Sequence, residues 1–212
     1  MKKQESFTAF ALVLNFLSRM FLHPPEETLI QSLLEEELLS HWPLPFSPVT
    51  RKGLKILNDF IRSWTPGKRE AVKNDYTRLF IGLEKTAAPP YASVYLSREH
   101  IIFDISTLEI RDFYRRYGLK SRLLHKEPDD HIGLELSFLG HLCQKASSAD
   151  DSSRFESIIT DSHRFLDGHL KKWLPDFCSL VKKHSNTEFY PGAAYLTEGT
   201  IATLNEYMDF LS

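Results

Sequence analysis

Apolar residues recur at three- and four-residue intervals along almost the whole chain, and this spacing restricts it to a fold built from α-helices. The clearest row near the N-terminus consists of Phe7, Phe10, Leu14, Leu17 and Phe21. A second apolar row runs beside it, so this segment is predicted to form a helix with two buried faces in the centre of the core.

Prolines and glycines divide the remaining apolar patterns into separate helices. Residues 82–103 form the longest irregular stretch, which contains the only plausible strand material and no pairing partner for it, so we expect an extended loop there. Residues 147–153 are small, polar and acidic, which is typical of a flexible hinge. The sequence therefore predicts an all-α, single-domain bundle spanning residues 1–212, with about eight to ten helices and one long irregular loop.

Composition excludes several classes of protein. A formal net charge of -2 argues against a nucleic-acid-binding protein, which usually carries a clustered basic surplus. Both cysteines, Cys143 and Cys178, lie in apolar helical patterns and are predicted to be buried free thiols. The apolar run that follows Lys2 and Lys3 lacks the cleavage site of a signal peptide, and no stretch approaches the length of a membrane span. We therefore expect a cytoplasmic protein.

Residues 127–136 combine a proline and several acids with the start of an apolar helical row. Proline is tolerated in a first helical turn, and carboxylates there face the positive end of the helix dipole. A helix is therefore predicted to begin at Pro128, with Asp130 and His131 in its first turn. Glu135 lies four residues after His131, which places the two side chains on one face.

These residues leave three interpretations open. His131 and Glu135 have the spacing of two metal ligands on a helix, which would suit a metal-dependent hydrolase, although no third ligand is evident and a polar pair at a helix start is favoured. A helical adaptor without a peptide groove is another alternative. The third is a peptide-binding protein, because Tyr91 follows two prolines in a loop and rigid aromatic side chains near an acidic helix start suit peptide docking. No catalytic nucleophile, metal site or phosphate-binding loop is predicted.

Three sequence blocks in a fixed order resemble the TorD/DmsD family of molybdoenzyme maturation chaperones. They are Tyr76-Thr77-Arg78-Leu79-Phe80-Ile81-Gly82, Pro89-Pro90-Tyr91-Ala92-Ser93-Val94-Tyr95 and Glu127-Pro128-Asp129-Asp130-His131-Ile132-Gly133. Trp42-Pro43-Leu44 and His169-Leu170-Lys171-Lys172-Trp173-Leu174-Pro175 also stand where that family has similar stretches. The DmsD branch is the most similar, although Tyr76 and Tyr91 stand where tryptophans are expected.

The resemblance implies a non-catalytic chaperone that binds the twin-arginine signal peptide of a reductase precursor. Such a protein holds the apo-form of the catalytic subunit until its molybdenum cofactor is inserted, and it carries no cofactor itself. The implied peptide-binding residues are Tyr76, Leu79, Phe80, Pro90, Tyr91, Glu127, Pro128, Asp130 and His131. The Tat translocase and cofactor-biosynthesis proteins are further implied partners. We expect a monomer, with a domain-swapped dimer as the alternative that the hinge at 147–153 allows.

Overall fold

The computed structural model describes residues 3–35, 39–81, 86–97, 105–119 and 128–211, and these form an all-helical fold. The α-helices are α1 (Lys3–Leu22), α2 (Glu27–Glu35), α3 (Pro48–Arg62), α4 (Pro66–Tyr76), α5 (Ala92–Leu96), α6 (Ile105–Arg116), α7 (Ile132–Ser147), α8 (Ser152–Phe165), α9 (Lys171–His184) and α10 (Phe189–Leu211). Two π-helical turns, Thr77–Ile81 and Leu166–Leu170, extend α4 and join α8 to α9. The predicted all-α class is confirmed, while the assignment of residues 1–212 to one domain stays a prediction.

Helices α1 and α7 pack closely together in the centre of the fold. Ser18 on α1 donates a hydrogen bond to the Gly133 carbonyl of α7 over 2.6 Å. A Cβ atom at Gly133 would lie 2.5 Å from Leu22 Cγ, so only glycine allows this approach. The double apolar face of α1 is explained by this arrangement, because α10 packs on α1 as well.

By length and composition alone, α1 would also qualify as a membrane span, contrary to the expectation from sequence. In the structure, 61% of its apolar window is buried among the other helices. Its apolar character is therefore used in packing within this fold.

The segment from α8 to α9 differs from its prediction. The division of the chain at prolines predicts a helix break before Pro175, but Pro175 lies inside α9. The irregularity occurs earlier, in the π-helical turn Leu166–Leu170, where one extra residue is inserted into the helical repeat. This turn buries the imidazole of His169 against α7.

The predicted irregular stretch at 82–103 contains more helix than expected. Residues 92–96 form the short helix α5, and the rest of the described part is extended or turn-like. Gly118 ends α6, with a φ of 69° and the Leu119 amide donating to the Tyr114 carbonyl over 2.9 Å. The predicted hinge overlaps the short α7–α8 connection, where Asp151 accepts a hydrogen bond from the Arg154 amide and starts α8.

Candidate functional site

The chain segments that precede α5 and α7 pair with each other, so both helices begin from one junction. Tyr91 and His131 form an antiparallel β-bridge, and each is the extended N-cap residue of the helix that follows. The amide after His131 donates to the Pro90 carbonyl over 2.8 Å, and the amide after Tyr91 donates to the Asp130 carbonyl over 3.0 Å. The structure therefore brings together four of the predicted site residues, and we call this the α5–α7 junction.

The Asp130 carboxylate caps the start of α5, whereas the sequence predicted that Asp130 would lie in the first turn of α7. It precedes the N-cap residue and belongs to a turn in which the His131 amide donates to the Pro128 carbonyl over 3.2 Å. Its carboxylate Oδ2 accepts a hydrogen bond from the Ser93 amide over 2.7 Å. Asp130 is fully buried, and its carboxylate satisfies one backbone donor in the first turn of α5. The first turn of α7 begins instead at Ile132.

His131 is buried and neutral. Its Nδ1 accepts a hydrogen bond from the Gly133 amide over 3.0 Å, which places the ring proton on Nε2. Burial, aided by the nearby charge of His23, lowers the pKa of His131 to about 3. The ring lies edge-on to Tyr91, with the centroids 5.4 Å apart. His131 therefore supports Tyr91, whose own ring is only partly buried.

Helix α6 holds the turn before His131 in place. Arg111 Nε donates to the buried carboxylate of Asp129 over 2.5 Å, and Tyr114 Oη donates to the Asp129 carbonyl over 2.9 Å. Burial raises the pKa of Tyr114, so its hydroxyl remains a donor. Neither Arg111 nor Asp129 was predicted as a site residue. The only sequence feature that pointed to Asp129 was its place in the adjacent acid pair at 129–130. The residue spacing of α6 did not indicate that Arg111 would pair with it.

Tyr76, Leu79 and Phe80 lie below the surface in an aromatic cluster next to α1. Tyr76 Oη donates to the Leu22 carbonyl over 2.9 Å, at the end of α1 where helical carbonyls have no intrahelical partner. Phe80 packs edge-on against Tyr76 and against Tyr190, at centroid distances of 5.3 and 5.1 Å. These three residues, which were predicted as peptide contacts, are therefore buried in the core.

A short backbone ladder connects this aromatic cluster to the α5–α7 junction. The Ala87 and Ala88 amides donate to the Arg78 and Leu79 carbonyls over 3.2 and 2.9 Å. The segment leading to Tyr91 is therefore fixed to the π-helical turn after α4. Pro90 and Pro128 are buried on either side of the bridge, while the predicted contact Glu127 lies outside the described residues.

Glu135 does not converge with His131 as a pair of metal ligands would. Its Oε1 lies 2.6 Å from Nε2 of His169, and both residues are buried. Burial raises the pKa of Glu135, with His169 acting in the opposite direction. Burial disfavours the charged form of His169, but the charge and hydrogen bond of Glu135 outweigh this effect and raise the His169 pKa.

The pair Glu135–His169 joins α7 to the π-helical turn before α9. Within the described ranges, no group of three or more His, Cys, Asp or Glu residues has a geometry that could hold a metal ion. The geometry of these residues is that of a buried structural pair.

Comparisons with known proteins agree with this architecture. The family model described as the nitrate reductase delta subunit matches residues 45–179. The probable Tat proofreading chaperone DmsD of Haemophilus influenzae is 26% identical over 202 residues, which cover 93% of this chain and 91% of that protein. The Tat proofreading chaperone DmsD of Salmonella typhi is 28% identical over 197 residues, covering 91% and 87%.

A match over a shorter stretch and a solved structure extend these similarities. The chaperone protein TorD of Aliivibrio salmonicida is 29% identical over 121 residues, or 57% of this chain and 56% of that protein. The crystal structure of a putative redox enzyme maturation protein from Archaeoglobus fulgidus superposes with a TM-score of 0.51 and 19% identity, covering 93% and 94%. At that identity the superposition shows a shared fold.

Proposed function

Because this chain belongs to the nitrate reductase delta subunit family, the family of the DmsD and TorD chaperones, we propose that it is a redox-enzyme maturation chaperone. It binds the twin-arginine signal peptide of a molybdoenzyme precursor in the cytoplasm and holds the apo-form of the catalytic subunit until its cofactor is inserted. The observation that carries this proposal is the alignment over nine-tenths of the chain with Tat proofreading chaperones. The protein acts by binding and not by catalysis.

The α5–α7 junction is the proposed centre of the peptide site. Tyr91 is its partly exposed aromatic side chain and supplies a direct contact, because a rigid amphipathic ring contributes large contact area at small entropic cost. Asp130 and His131 are positioning residues, since one holds α5 and the other supports the Tyr91 ring. Glu127 stays a predicted contact for the signal arginines.

The buried members of the predicted site act through the same segment. Leu79 accepts a backbone hydrogen bond from the chain before Tyr91, and Tyr76 and Phe80 fill the space behind it. Pro90 and Pro128 restrict the backbone on both sides of the bridge. In this proposal these residues give the site its shape, and their replacement would lower peptide affinity together with stability.

Calorimetric titration with twin-arginine signal peptides tests the proposed function. We expect saturable binding that weakens as salt rises, because part of the attraction is between charges. A peptide with both arginines replaced by glutamine should bind more weakly, and a scrambled peptide of the same composition serves as the control. Absence of heat and of competition with all signal peptides, including those of molybdoenzymes, would refute the proposal.

Two matched variants test the role of the junction. Tyr91→Ala should lower peptide affinity with little loss of stability, because its ring is partly exposed. Tyr195→Ala, which removes a tyrosine of similar burial from α10, should leave the affinity unchanged. A large fall in the melting temperature of Tyr91→Ala, with unchanged affinity, would show that Tyr91 is a packing residue and that peptides bind elsewhere.

A further inference from the structure

An exposed apolar segment leads into helix α3. Phe46 is 48% exposed and Val49 is 39% exposed, and the neighbouring Pro45 and Pro48 are exposed as well. Single exposed apolar side chains are common on protein surfaces, but here four of five consecutive residues are both apolar and exposed. We call residues 45–49 the α3 tip.

The α3 tip is fixed to the fold at both ends. Before it, the side chains of Trp42 and Leu44 are buried and anchor the chain in the core. Within it, Ser47 caps α3, because its hydroxyl accepts a hydrogen bond from the Thr50 amide over 3.0 Å and its carbonyl accepts one from the Arg51 amide over 2.9 Å. A segment held in this way has little conformational freedom to lose when it binds a partner.

Cations follow the tip on the outer face of α3. Arg51, Lys55 and Arg62 are spaced by four and seven residues, which places them on one face of the helix. These three residues and Lys52 are exposed, while the opposite face of α3 packs against α10. Asp59 is the only acid in the sequence of this helix. The tip therefore continues into a basic surface.

The first of these cations are not placed to stabilise α3 itself. The N-terminus of a helix carries the positive end of the helix dipole, and the first turn of α3 contains no acid. Arg51 forms no ion pair with a carboxylate in the described part of the chain. Lys52 Nζ lies 4.3 Å from the ring centroid of Tyr195, a contact that leaves its charge uncompensated. An anion beside the start of α3 would offset these charges.

Lys55 is only weakly engaged. It pairs with Asp59 over 2.6 Å, and both side chains are more than half exposed. An exposed pair at this helical spacing contributes little to stability, so Lys55 can exchange this partner for another anion at small cost.

The charge is also separated on a larger scale. Residues 48–81, which contain α3, α4 and the π-helical turn after α4, include eight Lys or Arg and only three Asp or Glu. The whole chain has a net charge of -2, so the rest of the chain is acidic. Such a separation turns the basic region toward an anionic surface and the acidic remainder away from it.

An anionic lipid surface matches both the tip and the cations. Its headgroup phosphates supply the anions, and the boundary between headgroups and acyl chains accepts apolar side chains such as Phe46 and Val49. A stable contact with a folded protein would bury about 800 Å² on each partner, which is more than a five-residue tip provides. Lipid docking needs only a few side chains, because each Lys or Arg near the surface strengthens binding about fivefold.

We propose that the α3 tip docks on the anionic surface of a membrane, with Phe46 and Val49 entering the headgroup boundary and Arg51, Lys52 and Lys55 facing lipid phosphates. This goes beyond the proposed function, since none of these residues belongs to the α5–α7 junction. Docking is reversible, because one short apolar tip and a few cations are too little for permanent anchoring.

Co-sedimentation with lipid vesicles tests this proposal. The wild type should bind vesicles of equal parts phosphatidylglycerol and phosphatidylcholine, should be released as salt rises, and should not bind phosphatidylcholine alone. Phe46→Ser should weaken binding about tenfold, and Arg51→Gln about fivefold. Phe210→Ser, at an 84% exposed position of α10, and Arg154→Gln, at an exposed position in the first turn of α8, are the matched controls and should bind like the wild type.

Fluorescence reports insertion of the tip directly. Phe46→Trp should add an emission that shifts to shorter wavelength on anionic vesicles and is quenched by lipids with brominated acyl chains. Phe210→Trp contains the same native tryptophans and should show neither change. Circular dichroism should give one melting temperature for the wild type and all variants, because every substituted side chain is exposed.

Three results would overturn the proposal. The first is a wild type that binds anionic vesicles no better than neutral ones. The second is equal vesicle binding by Phe46→Ser, Arg51→Gln and their controls, which would show that the attraction does not depend on the α3 tip. The third is a loss of signal-peptide affinity in Phe46→Ser with unchanged vesicle binding, which would assign the tip to a peptide. Because vesicle binding is measured without a signal peptide, its outcome is independent of the proposed function.

Discussion

Replacement of Asp130 by alanine tests whether this carboxylate is a buried helix cap or a surface contact for arginine. In the structure its Oδ2 accepts from the Ser93 amide over 2.7 Å, and the residue has no exposed surface. The loss of a charged hydrogen bond typically costs about 1.5 to 3 kcal/mol, and the Ser93 donor would stay buried without a partner. For a chain of this length, about 2 to 4 °C of melting temperature corresponds to each kcal/mol. Asp130→Ala should therefore melt roughly 3 to 12 °C lower.

Two further variants make this measurement specific. Asp151 makes a similar bond at an exposed position, accepting from the Arg154 amide over 2.8 Å, so Asp151→Ala should cost only about 1 kcal/mol. Asp130→Asn keeps an oxygen acceptor and should recover part of the loss. Thermal unfolding by circular dichroism measures all three variants. If Asp130→Ala melts no lower than Asp151→Ala and still loses peptide affinity, Asp130 faces the peptide and the reasoning from burial is wrong.

Three further changes have expected outcomes. The pKa of His131 is about 3 in the folded state and near 6.5 in the unfolded state, so the unfolded chain takes up the proton first as pH falls. The free energy of unfolding should therefore decrease from pH 6.5 to pH 3, by at most about 1.4 kcal/mol per pH unit. Urea titrations should show a smaller decrease for His131→Asn. Glu135→Ala should cost about 3 to 5 kcal/mol in the same assay, because it leaves its histidine partner buried and unpaired; a cost below 1 kcal/mol would show that the pair is hydrated. Gly133→Ala should lower the free energy of unfolding by about 1 to 3 kcal/mol, because its Cβ would meet Leu22. Gly168→Ala has open space around it and should change stability little. Equal effects of the two variants would contradict the close packing of α1 on α7.

Several features of this protein are readable from the sequence because they depend on residues close together in the chain. The apolar spacing of α1 and α7 identifies both helices, since each repeat is set within about two turns. Gly118 marks the end of α6 because its left-handed backbone is a local requirement. The ordered blocks around Tyr76, Tyr91 and His131 likewise identify the family without any knowledge of their contacts.

The roles of the acidic residues could not be read in the same way. Local rules placed Asp130 in the first turn of α7, but the actual partner is the Ser93 amide, 37 residues earlier in the chain. Glu135 and His131 share a spacing of four residues, yet Glu135 pairs with His169, which lies in a different helical turn. The spacing indicates which side chains share a face and does not indicate what packs against that face.

The helical class, the order of the helices and the family of this chain follow from its amino-acid sequence. Only the packed fold shows that Tyr91 is partly exposed while Asp130 and His131 are buried, and that Trp42 lines a cavity against α1. This difference arises because helical periodicity is fixed by the geometry of neighbouring residues. Burial and pairing depend instead on which helices meet, and that outcome is set by packing of side chains from distant parts of the chain throughout one dense core.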